Sequence, residues 1–305
     1  MGSSPTQGTN MNKLAFTYQF NPTATNSIVF NKTLRPHQSW PQEILNAVDT
    51  IKASTDKDLI VCYSGGIDSE LICWALLKKN IDFKVLTVRY TNKLNQYDID
   101  FTTKFCQQHN IEQIFLDIDP IDFYTNGIQK YIVQGYRAHN LYRYFQLFLL
   151  EHVENMNATA IIGSGEQMYA LSNNQPGIEY FGDFFTPLVF NESLKNIHYP
   201  CFYYSTPELV ISYMETEPVK MLLDNPFFLS RQFWPPKKEA FSSNLVKQMV
   251  IYNNFPELEL RRKYSGFESF YDFRLREQAK YKSLFPELTA SLFLTVQDIK
   301  RQLLS

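Results

Sequence analysis

The chain has no surplus of either charge, little cysteine and no long apolar run. Lys and Arg number 29 against 31 Asp and Glu, leaving a formal net charge of −2. No global field therefore draws it to nucleic acid or to an anionic membrane surface. No segment reaches the length of a membrane span, which excludes a spanning helix, and no secretory signal opens the sequence. Its polar start, Met1–Asn10, is followed by Met11 and reads as a leader or frayed terminus outside the fold. The four cysteines, Cys62, Cys73, Cys106 and Cys201, form no Cys-x-x-Cys pair. Cys62 and Cys73 lie in apolar runs and read as buried thiols, leaving Cys106 and Cys201 as the non-core ones. A reducing, cytoplasmic setting is the expectation. What the chain does have is apolar and aromatic mass, 44% hydrophobic residues with 25 Phe and 19 Tyr among 305, enough for a well-packed core.

The other features are organised around Asp58–Glu70. Leu59 to Tyr63 is a short, unbroken apolar run, the pattern of a strand buried on both faces. Ser64-Gly65-Gly66-Ile67-Asp68-Ser69 follows, and then a helical pattern from Leu71 that ends near Asn80. A strand, a glycine turn and a helix start together form an anion pocket. Backbone N–H groups of the turn have no intrahelical partners, and the helix dipole adds partial positive charge. Paired glycines let the chain approach a phosphate without a Cβ in the way. Two familiar phosphate loops are absent: Ile67-Asp68-Ser69 lacks the Walker A lysine, and the Gly-x-Gly-x-x-Gly spacing is missing. Asp68 is an anion where phosphates would sit, which makes sense if a divalent metal bridges the two.

Strands and helices then alternate. Strands are expected at Phe83–Arg89, Gln113–Ile118 and Ala158–Ile162, with helices between them. One helix is capped by Asn95 or Asp98, and a longer one carries Leu141, Phe145, Phe148, Leu149, Val153 and Met156 on one face. The fold class is α/β, a doubly wound parallel sheet whose ligands sit beyond the carboxyl ends of its strands. The polar clusters Ser64–Ser69, Thr87–Arg89, Asp117/Asp119 and Gly163–Glu166 all fall at those ends. Residues 11–56 read as an N-terminal extension, a lid or edge addition with a hairpin about Asn21–Thr23 and a helix from Pro41 to about Ala53. Residues 57–225 form the main domain, broken by Pro, Gly and aromatics after Asn173. Residues 226–305 form a helical C-terminal region, with helices at Glu239–Tyr252, Leu258–Lys263, Phe267–Lys280 and Leu288–Leu304.

Ser64-Gly-Gly-Ile-Asp-Ser69, the strand end at Thr87-Val88 and the Gly163–Glu166 turn together resemble the PP-loop ATP pyrophosphatases of HUP-type fold. Ile67 favours the N-type branch. The stretch Arg137–Glu166 is similar to the synthetase domain of asparagine synthetase, and the resemblance covers roughly Asp58 to Met168. It implies ATP and Mg²⁺ as cofactors. The phosphates would lie on Ser64, Gly65, Gly66, Asp68 and Ser69, with adenine near Val88 and Gly163, and Asp68 and Glu166 would be metal ligands. It also implies adenylation of a carboxylate or carbonyl oxygen, release of pyrophosphate, and displacement of AMP by an amine or ammonia. Cations over the pyrophosphate are sought in Lys237-Lys238 or Arg261-Arg262-Lys263, with Lys263 preferred because a Gly-containing loop follows it. Each cluster reads equally as a solvated basic face. Glu166 is the one acid in a turn where asparagine synthetase has several, and it is a candidate ligand or base.

Asp117 and Asp119 read as a solvated strand end. His139 and Arg143, four apart, read either as substrate-facing or as a surface pair. No glutaminase cysteine stands at Met1 or Met11. The zinc cysteines of the deazapurine nitrile synthases are missing from the C-terminal half, where only Cys201 lies. The expected partner is a small-molecule or nucleobase substrate, with no membrane and no call for nucleic acid from net charge. Oligomeric state leaves no mark in the sequence. Two alternatives stay open: a sulfur transferase or other modifying enzyme acting on tRNA or a nucleobase, and a nucleotide-binding module without turnover.

Overall fold

The computed structural model describes residues 14–19, 26–165, 167, 169–224, 243–258, 271–289 and 291–305. Strands β1 (Phe16–Gln19) and β2 (Ser27–Phe30) pair antiparallel with Phe16 opposite Phe30. The turn expected at Asn21–Thr23 lies outside the described residues. Helix α1 (Trp40–Ala53) starts with Pro41 in its first turn, where a missing N–H costs nothing. Its Trp40, Ile44, Ala47, Val48 and Ile51 are buried. This helix is a layer of the core and not a lid.

Then come β3 (Leu59–Cys62), α2 (Ile67–Lys78), β4 (Lys84–Tyr90), α3 (Gln96–Gln108) and β5 (Gln113–Ile118). Two short helical turns, α4 (Pro120–Asp122) and α5 (Gln129–Val133), lead to the long α6 (Leu141–Asn155) and to β6 (Thr159–Ile162). The four strands form one parallel sheet in the order β5-β4-β3-β6. The order reverses between β3 and β6, so the crevice of a doubly wound sheet opens there. β3 is buried at every position. Alternate residues divide between two cores: Leu59, Val61, Val85 and Ile161 join the layer of α1 and α2, while Ile60, Cys62, Leu86 and Ala160 join that of α6.

The chain continues through β7 (Tyr169–Ser172), β8 (Gln175–Phe181), α7 (Thr186–Glu192), α8 (Pro207–Met214) and α9 (Glu217–Asp224). Pro187, Pro207 and Pro218 stand in the first turns of three helices. A stretch expected to be irregular is helical because its prolines start helices instead of breaking them. Helices α10 (Ser243–Asn254) and α11 (Tyr271–Leu284) follow, the latter running past its expected end at Lys280. The helix expected over Leu288–Leu304 is instead a strand, β9 (Ser291–Thr295), and a helix, α12 (Val296–Leu304). Thr295 ends one and caps the other, its hydroxyl accepting the Asp298 N–H. β9 pairs with β8, completing an antiparallel β7-β8-β9 sheet. α12 returns to the hairpin, where the Phe30 N–H donates to Gln302 Oε1 at 2.8 Å.

Candidate functional site

Beyond the end of β3 the chain turns through Ser64, Gly65 and Gly66 into α2. Gly65 has φ +76°, in the left-handed region, and a Cβ there would stand 2.8 Å from Asp98 Cβ and 2.9 Å from the Asp98 carbonyl oxygen. Only glycine fits both demands. Gly66 precedes α2 with no side-chain cap on the helix, so its first-turn N–H groups are offered by backbone alone. Ser69 staples the turn: its hydroxyl donates to the Gly66 carbonyl at 3.0 Å and accepts the Ser64 N–H at 3.3 Å. Gly163, just past β6, presses on the same helix start, because a Cβ there would lie 3.0 Å from Ser69 N. Asp68 is half-buried and accepts a hydrogen bond from Tyr203 Oη at 3.2 Å.

These elements frame a pocket of about 760 Å³, counting its open mouth, lined by Ser64, Ser69, Val88 and Gly163 together with Leu86, Phe145 and Leu149. The lining is mainly apolar with a few hydroxyls, a usual composition for a small-molecule site. Gly65 and Gly66, in the turn, and Asp68, in the first turn of α2, are not among its lining residues. Asn95 and Asp98, which the local sequence marks only as candidate helix caps, also line it. Asn95 precedes α3 as expected, but its side chain does not cap the helix. It donates to the Val88 carbonyl at 2.9 Å and accepts the Tyr90 N–H at 2.9 Å, finishing the edge of β4 where that strand outruns β3. Asp98 is 3% exposed. Burial pushes the Tyr90 phenol well up, with the charges of Tyr142 and Asp98 adding to it.

A second polar group stands behind the Gly163 turn. Asp183, 2% exposed, accepts the Asn140 N–H at 2.9 Å and faces His139 Nδ1 at 3.1 Å and Arg143 Nε at 4.0 Å. Arg143 donates to Gln146 at 3.0 Å, and Gln146 donates to the Ser164 hydroxyl at 2.8 Å. His139 and Arg143 are therefore no surface pair; both face a carboxylate from a distant segment, and Arg143 reaches the turn through Gln146. Asp117 is held by the Arg89 guanidinium at 2.6 Å, and Asp119 caps α4, so both acids have structural work at a solvated edge.

All four cysteines are free and buried. Cys106 and Cys201 are thus core thiols like the other two, at 2% and 0% exposure, which corrects their assignment as non-core. Burial pushes Cys62 up to about 12 and Cys106 up to about 11. Among the described residues no three His, Cys, Asp or Glu side chains converge on a metal site, and no helix is long and apolar enough to cross a membrane. Glu166, Lys263 and the clusters Lys237-Lys238 and Arg261-Arg262 lie outside the described residues.

Sheet order, glycine turn and pocket define a doubly wound α/β protein with a pocket at the carboxyl ends of β4, β3 and β6. Residues 58–131 match the family described as "Queuosine biosynthesis protein QueC". That segment holds β3, the Ser64–Ser69 turn and the next two strands, and ends before α6; the rest of the chain is outside the match. No curated protein matches the chain significantly. Among solved structures, an NMN synthetase from Francisella tularensis is 14% identical over 83% of this chain and 96% of its own, with a TM-score of 0.37. An NH3-dependent NAD synthetase from Campylobacter jejuni subsp. jejuni, solved with nitrate, is 14% identical over 80% and 96%, with a TM-score of 0.36. Neither likeness is close enough to carry an argument, and a particular kinship with asparagine synthetase is not shown.

Proposed function

We propose that the chain is an ATP pyrophosphatase that adenylates a substrate carboxylate or carbonyl oxygen and passes the activated group to an amine or ammonia. The observation carrying this reading is the glycine-flanked start of α2, beside the pocket at the ends of β4, β3 and β6. Gly65 leaves no room for a side chain and Gly163 sits tightly on the backbone of Asp68 and Ser69, a packing that favours backbone donors of the turn held in place before a phosphate arrives. Preorganised donors of this kind stabilise charge without reorganisation. Ser64 and Ser69 supply hydroxyls, and Leu86, Phe145 and Leu149 form an apolar slot for a base beside Val88 and Gly163.

In the first step a substrate oxygen attacks the α-phosphorus, and the bond to the β-phosphate breaks with its electron pair leaving on pyrophosphate. In the second a nitrogen attacks the activated carbon, AMP departs with the former substrate oxygen, and the nitrogen sheds a proton. The chain's part is to hold the nucleotide in line and exclude water. Mg²⁺, when bound, supplies neutralisation of phosphate charge. With no cluster of three ligands among the described residues, the site fits an ion held by Asp68 and phosphate oxygens, which is the habit of Mg²⁺. Glu166 is the proposed second ligand or base. Lys263, with Lys237-Lys238 as the alternative, is the proposed cation over pyrophosphate.

A second reading is favoured by the segment match to a queuosine-biosynthesis family, in which the activated oxygen belongs to a nucleobase. Transfer of sulfur from a protein thiol fits poorly, since every cysteine is buried. A screen of carboxylates, amines and nucleobases for substrate-dependent pyrophosphate release, with AMP read by mass spectrometry, tests the proposal. Equal pyrophosphate and AMP, lost in Asp68→Asn, are expected. ATP binding without release, unchanged in that variant, would mark a binding module; no ATP binding at all would end the proposal.

A further inference from the structure

A second pocket, about 620 Å³ with its mouth, is lined by Tyr124, Asn140, Tyr142, Arg274 and Gln278. Tyr142 also lines the loop pocket, so the two cavities share a wall. Their chemistry is opposite. The loop pocket is mainly apolar, whereas this one presents a guanidinium, two carboxamides and two phenols, with no acid among its described lining residues. Asn140 is held firmly: its N–H donates to Asp183 at 2.9 Å and its Oδ1 accepts the Tyr142 N–H at 3.1 Å. It therefore offers a ligand its Nδ2 donors. Tyr124 is 1% exposed, and burial pushes its phenol well above the ordinary value although the Arg274 charge opposes this. It stays a neutral donor.

A cleft that presents a guanidinium beside carboxamides suits a ligand rich in acceptors, and the planar guanidinium fork matches a carboxylate. We infer that this pocket, reached across Tyr142 from the loop pocket, seats a small carboxylate-bearing co-substrate on Arg274, Asn140 and Gln278. The carboxylate's use as the oxygen to be adenylated rests on the ATP reading; its binding does not. Saturation-transfer NMR and calorimetry with succinate and benzoate, against succinamide and benzamide as uncharged controls, test it in wild type and Arg274→Gln, each with and without Mg·ATP. The expected result is binding of the carboxylates over their amides, weakened about tenfold or more in Arg274→Gln by loss of a charge-assisted contact, with Mg·ATP affinity unchanged. Equal binding of amides, equal binding in the variant, or no carboxylate binding with or without nucleotide would each overturn it. If thermal melting shows Arg274→Gln unfolded, Gln278→Leu carries the test, with a several-fold loss expected and no loss overturning it. Arg274-dependent carboxylate binding in a protein that ignores ATP would leave this pocket standing and remove the nucleotide reading alone.

Discussion

Helices α1 and α2 pack side by side and begin alike. Each follows a residue whose side chain makes no capping bond, Ser39 or Gly66, and each has an acid in its first turn, Glu43 or Asp68. The helix dipole favours both acids. Their surroundings then diverge. Glu43 is fully buried and takes both terminal nitrogens of Arg35, the Gln38 N–H at 2.7 Å and the Asn46 amide at 3.1 Å. Asp68 keeps access to solvent and accepts the Tyr203 hydroxyl at 3.2 Å. One local signal thus has two outcomes. Where the chain folds a guanidinium over the acid it becomes a buried brace, and beside the glycine turn the acid stays half-buried.

The contrast can be broken at either helix. Glu43→Ala should cost about 3 kcal/mol in urea unfolding, because Arg35, Gln38 and Asn46 lose their common acceptor; a loss near zero would deny the brace. Gly163→Val should leave the fold intact yet weaken Mg·ATP binding about a hundredfold by pushing the first turn of α2 out of line. Unchanged calorimetric affinity in that variant would count against the loop as the nucleotide seat.

Acid titration separates the two carboxylates more finely. Burial alone would raise Glu43, but the Arg35 fork, the Gln38 N–H and the Asn46 amide outweigh it and hold the group below its ordinary range. Its stabilisation is therefore complete above the unfolded carboxylate value of about 4.3 and is lost as pH falls through the lower folded value. Glu43→Gln should flatten the stability-versus-pH curve there by up to about 1.4 kcal/mol per pH unit. A curve parallel to wild type would contradict the assignment. The smallest effect is expected of Tyr203→Phe, a loss of about 1 kcal/mol or less in nucleotide binding, read as a shift in the Mg·ATP titration with melting unchanged.

The first half of the sheet was legible because its signals are local. A buried run, a glycine pair and a helix start lie within thirteen residues, and their backbone geometry follows from sequence alone. Ser64, Ser69, Val88 and Gly163 line one pocket, while Gly65, Gly66 and Asp68 are not among its lining residues. Asn95 was seen only as a cap, because its real duty is to the β4 edge, and nothing local shows that β4 outruns β3. Asp183 escaped notice altogether; its meeting with Asn140 spans 43 residues. The C-terminal strand was misread for a related reason. Leu292, Phe293 and Leu294 are each half-buried, so they show no clean alternation, and only pairing with β8 decides their shape. After Asn173 prolines look locally like breaks, yet Pro187, Pro207 and Pro218 each open a helix.

The return of α12 to the opening hairpin bears on the order in which the protein can assemble. The Phe30 amide finds its acceptor 272 positions away in Gln302. Contacts of such separation form slowly, since a large loop must close before they repay it. On the ribosome the hairpin would emerge long before its latch and depend meanwhile on chaperones or on transient packing. Pulse-labelled hydrogen exchange during refolding should find the Phe30 amide protected late, after the amides of β3 and β4 are already shielded.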